Sequence, residues 1–141
     1  MTDIEKILEY LRGGSNGKLD LRWATLRNVR LHDADLSGVD FSNADLKGAY
    51  LKDVNLSDAN LSKADLNEAY LYEANLSNAD LSKANLSGAN LLSAYLGKAN
   101  LTNADLSGAD LTVWDIEDVN LSEAIFGEPY IVDYVNLMPP L

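Results

Sequence analysis

Ala44-Asp45-Leu46-Lys47-Gly48-Ala49 contains the pattern that decides the fold: a small residue, an Asp or Asn, a Leu, two turn-forming residues, and then the small residue again. Outward from there, Leu recurs at almost every fifth position from Leu21 to Leu121, with Phe41 and Ile116 standing in and Phe126 closing the run. Two residues before each lies Ala or Val from Ala24 through Ala109, followed by Trp114, Val119 and Ala124. An α-helix cannot use this spacing, because five residues advance about 500° and would scatter the leucines round the cylinder. A continuous strand fails too, since an odd spacing throws every second Leu to the opposite face. The chain must therefore turn once per unit.

Inward positions then fall in steps of two and three, from Ala44 to Leu46 along a short extended piece and from Leu46 to Ala49 round a corner. The skipped pairs, such as Ser42-Asn43, Lys47-Gly48 and Ser87-Gly88, have the small polar character of β-turns. Repeated turning of this kind coils the chain into an all-β solenoid, with successive coils paired as parallel strands about 4.8 Å apart and Leu filling the axis. The Asp and Asn that usually precede the Leu either form side-chain ladders along the coil or serve as solvated spacers.

Ala79-Asp80-Leu81-Ser82-Lys83 and Ala104-Asp105-Leu106-Ser107-Gly108 resemble the consensus of the pentapeptide repeat family, and the likeness covers residues 19–128 in one register. Similar proteins are abundant in cyanobacteria. The resemblance implies a right-handed quadrilateral parallel β-helix. Identical residues recurring at twenty, such as Tyr50/Tyr70, Lys63/Lys83 and Gly88/Gly108, favour four corners over three. With Leu21 to Phe126 divided among coils of four units, the rod has about 5–6 coils and a length of roughly 26 Å.

Residues 1–18 are expected to form an N-terminal capping helix and linker. Ile4, Ile7, Leu8 and Leu11 fall on one helical face, Thr2 and Glu5 have capping-box spacing, and Gly13-Gly14 is a stop signal. Trp23, at an outward turn position, is expected to pack under that helix and complete the seal, and Leu19 fills an Ala slot. Trp114 should widen its coil and disturb residues 112–118. The apolar segment 129–141 is either a cap or a dimer contact, so the chain is a monomer or a dimer through that tail.

Twenty-two acidic against eleven basic residues give a formal charge of −11, which opposes direct nucleic-acid binding. Met1 to Arg12 lacks the character of a signal peptide, and no apolar run is long enough to span a membrane, so a cytoplasmic location with no membrane association is expected. With no Cys and one His, the chain offers no nucleophilic triad, metal or cofactor site, and His32 reads as a solvent-facing turn residue. Stacked acids such as Asp45/Asp65 and Asp33/Asp53 read as a solvated face.

Two features stand out from the repeat. Tyr50, Tyr70, Tyr72, Leu92 and Val113 replace small polar residues on one outer face, with Tyr95 round the next corner, and together they form the candidate protein-binding surface. All four arginines, Arg12, Arg22, Arg27 and Arg30, lie near the start, whereas nothing after Lys98 is basic. The expected function is that of a non-enzymatic, rigid protein–protein interaction module with an unidentified protein partner. The resemblance supplies an alternative, a DNA-mimicking modulator of DNA gyrase.

Overall fold

A computed structural model describes residues 1–13, 19–113 and 115–127 of the chain. Gly14, Trp114 and the 129–141 segment lie outside the described residues, and with them the expectations of a coil widened by Trp114 and of a C-terminal cap or dimer contact. Parallel bridges join residues twenty apart, from Asp20↔Asp40 through Asp105↔Ile125, so one coil consumes four five-residue units. Recurrence at twenty in the sequence has the same register.

Each unit turns because of two coupled choices. Ala49 N–H donates to Leu46 O at 3.0 Å, closing a four-residue turn, and Gly48 at its third position has φ 65°. A positive φ there with the bond across the turn is the type II signature. Sixteen described residues other than Gly share that conformation, among them Lys63, Lys83 and Asn43. The solenoid therefore imposes a left-handed backbone on side chains that ordinarily avoid it.

The amides of one unit show why the repeat reads as it does. Leu46 N–H donates to Asp65 O of the next coil at 2.8 Å, and Gly48 N–H to Asn67 O at 2.9 Å. Asp45 N–H donates back to Ala24 O of the previous coil at 2.9 Å, while Ala49 N–H closes the turn. Only the amide of residue 47 lacks a backbone partner, and Asp45 Oδ1 accepts from it at 3.3 Å. The same bond runs from Ser62 N–H to Asn60 Oδ1 at 3.0 Å and from Ser82 N–H to Asp80 Oδ1 at 3.0 Å. The Asp/Asn column thus satisfies the one donor that the coil leaves over. Laddering is secondary: Asn55 and Asn85 each donate to an Asp one coil back, at 3.1 and 3.2 Å.

The Leu and Ala columns form one continuous buried cluster from Ile7 to Leu111. Val119, Leu121, Ala124 and Phe126 are partly buried against it. At the corner beginning with Leu111, Val113 N–H donates to Leu111 O at 2.8 Å, and Val113 lacks the positive φ of its counterparts. Within the 112–118 stretch the irregularity is thus confined, among the described residues, to 112–113: Asp115 is bridged to Tyr95 and Asp118 again has the corner φ of 56°.

Helix α1 spans Asp3–Leu11, with Thr2 as N-cap and both arms of the Thr2/Glu5 capping box formed. Gly13, at φ 74°, follows its end. The helix rests on the first coil differently from the sequence expectation. Ile7 is fully buried and Tyr10 partly so, and Asp3 Oδ2 accepts from Thr25 N–H at 3.2 Å, whereas Ile4, Leu8 and Leu11 remain exposed. Trp23 does not pack under α1: it is 74 % exposed. Its backbone is the reason, because φ 61° places it at the outward αL corner of its turn. Leu19 is buried, as its slot requires.

Candidate protein-binding surface

The coil register places Arg30, Tyr50, Tyr70, Asn90 and Asp110 in one column of bridged residues. Tyr50 and Tyr70 stack there with centroids 4.7 Å apart and ring planes 6° from parallel, and both remain exposed. The Arg30 guanidinium lies over Tyr50 at 5.2 Å, extending the stack by a cation. Round the adjoining corner, Lys52 lies over the ring of Tyr72 at 5.5 Å. The neighbouring Glu73 carboxylate holds the Tyr72 phenol above the ordinary value.

These side chains enclose an open groove of about 380 Å³ lined by His32, Asp33, Tyr50, Lys52, Asp53, Tyr70 and Tyr72. Three of the six residues expected at the surface are thus brought together. The others are arranged around them. Leu92 follows Tyr72 one coil on, where Glu73 N–H donates to Leu92 O, and it is half-buried. Tyr95 stands exposed on the next side, bridged to Asn75 and Asp115. Val113 leans on the core. The sequence reading passed over Arg30 and Lys52, although each precedes a tyrosine by the same twenty residues that relate Tyr50 to Tyr70. His32 is exposed.

The tyrosines come at a structural cost. In most units an Asp or Asn accepts from the amide two residues on, whereas Tyr50, Tyr70 and Tyr95, like Thr25, Arg30 and Ile125, replace it. A net hydrogen bond is worth about 0.5–1.5 kcal/mol, and aromatic stacking offsets about the same amount. Stacked acids show the opposite economy. Asp45 accepts from Arg27 and from Lys47 N–H, and Asp65 from Asn67 N–H and Asn85, so their oxygens hold the coil together. On the first coil Arg22 grips Asp20 through both oxygens at 2.6–3.0 Å and lowers its pKa to about 2. Among the described residues no group of three or more His, Cys, Asp or Glu is placed to hold a metal ion.

Five-residue units with an inner Leu, a type II corner and four units per coil define a class of β-solenoid. The model of pentapeptide repeats matches in eight copies over residues 19–53, 49–88 and 79–113, and the chain belongs to that family. The kinship implies that the square coil winds to the right. Among solved structures, it is similar to HetL, a pentapeptide repeat protein involved in heterocyst differentiation regulation in the cyanobacterium Nostoc sp. strain PCC 7120. The identity is 39%, with a TM-score of 0.51, over 79% of this chain and 47% of HetL. Trypsin-treated QnrB1, a plasmid-mediated fluoroquinolone resistance protein, shares the fold at 22% identity and TM-score 0.69, over 76% of this chain and 55% of QnrB1. The chain therefore spans about half the length of each. No curated protein matches it. No helix among the described residues is long and apolar enough to cross a membrane.

Proposed function

We propose that the chain is a rigid rod of five to six coils, closed at its N-terminal end by α1, that works without catalysis by binding another protein along the Tyr50–Tyr70–Tyr72 groove. One observation carries this reading: an exposed, parallel tyrosine stack stands where most units of the repeat place a structural Asp or Asn. Residues that depart from the local rule at a cost in backbone satisfaction point to function rather than folding. A fixed β-helical backbone presents the rings with little entropy left to lose on binding, and Tyr is a favoured anchor at interfaces.

The test compares capture by the parent protein with capture by a Tyr50→Ala/Tyr70→Ala/Tyr72→Ala variant. Loss of a partner that binds the parent supports the groove, and retention of every partner removes it. The net charge of −11 favours a second reading, modulation of DNA gyrase by mimicry of DNA. The arginines of the first coil oppose it, because they break the run of negative charge. Unchanged gyrase supercoiling in the presence of excess protein disposes of that reading.

A further inference from the structure

Helix α1 carries two apolar surfaces, and the first coil uses only one. Asp3, Ile7 and Tyr10 face the β-helix, and Ile7 is fully buried. Ile4, Leu8 and Leu11 lie about 100° further round the helix. They are 47, 42 and 40 % exposed, and Met1 beside them is 78 % exposed. Their spacing of four and then three is the apolar seam of a coiled coil. A groove of about 410 Å³ runs along this edge, lined by Met1, Glu5, Leu8, Glu9 and Arg12.

The charges beside the seam specify what covers it. Glu5 and Arg12 are seven residues apart and occupy the same flanking position of successive heptads. In an antiparallel pair of helices that position meets its own counterpart, so Glu5 of one copy faces Arg12 of the other, and the match occurs twice about a two-fold axis. The same register sets Leu8 of each copy against Leu11 of the other, with Ile4 at the edge of the contact. The opposite flank is Ile7, which is already committed to the core. The geometry points to a second copy of this chain as the occupant: α1 pairs with α1 in antiparallel fashion, joining two rods at their N-terminal ends. A dimer of this kind presents two tyrosine grooves and gains avidity for a partner with repeated sites.

The contact is small, well under the roughly 1,000 Å² of a stable interface, so the association is weak. Sedimentation equilibrium on the full chain from about 10 µM to about 1 mM covers the range in which such an interface forms. The expected result is a reversible monomer–dimer equilibrium. Leu8→Asp, at an exposed site, is expected to leave the circular dichroism and melting unchanged and to raise the dimer dissociation constant at least about tenfold. Arg12→Glu is expected to weaken pairing through like charge, and Glu5→Gln/Arg12→Glu, which removes the repulsion and keeps the capping acceptor at position 5, to recover part of it relative to Arg12→Glu alone. A chain that stays monomeric throughout overturns the proposal. So does a dimer indifferent to Leu8→Asp, or a double variant no tighter than Arg12→Glu alone; the charge variants decide the matter should Leu8→Asp fail to fold.

Discussion

At Asp45, Asn60 and Asp80 one side-chain oxygen completes the hydrogen bonding of its unit, and this explains a column that the sequence left open between ladder and spacer. The inner Leu and Ala positions were legible because their period excludes every other regular fold. The fate of the Asp/Asn column was not, because it depends on which amide lacks a backbone partner, and that emerges only once the coils are in register. The tyrosines follow from the same logic. Tyr50→Asn/Tyr70→Asn restores two local bonds while removing the stack, so its stability to denaturant is expected to lie within about 1 kcal/mol of the parent while partner binding is lost. Corner strain gives a second test. Lys83, exposed at φ 61°, should become up to about 1 kcal/mol more stable as Lys83→Gly, measured by urea melting. Gly48→Ala should cost more than Gly38→Ala, because its added carbon meets the Asn28 side chain, whereas that of Gly38 meets nothing within 4 Å.

Helix α1 was legible in extent, since Thr2, Glu5 and Gly13 mark its ends, and illegible in its roll. Four apolar residues on one arc suggested that the whole arc faces inward. The helix turns instead so that Asp3 reaches Thr25 N–H and Ile7 enters the coil, a long-range choice that no local pattern announces. The Trp23 expectation failed for a related reason: its corner backbone, rather than its size, sets its direction. Asp3 makes the docking sensitive to acid. Its carboxylate is bonded to Lys6 at 2.9 Å and to Thr25 N–H, and Lys6 leads in holding its pKa below the ordinary value. A depressed folded-state pKa contributes stability that is full above the unfolded value of about 3.9 and is lost as pH falls through the folded one. The melting temperature of the parent should therefore exceed that of Asp3→Asn at pH 7, with the gap closing below about pH 4.

Across the whole molecule, each coil buries its leucines against the coils before and after it, so the stability of the rod is shared between neighbours. Leu66 is completely buried, and Leu66→Ala should cost about 2–5 kcal/mol in a denaturant melt, well above any of the corner substitutions. The interior of the coil is occupied by packing, and function is left to its exterior and its ends. The most direct test of that arrangement is through-hydrogen-bond scalar coupling by NMR. Coupling from Leu66 N–H to the Asn85 carbonyl, and from Leu46 N–H to the Asp65 carbonyl, is the predicted result. Coupling of those amides to carbonyls four residues earlier would mean a helix and would contradict the coiled arrangement on which the tyrosine groove depends.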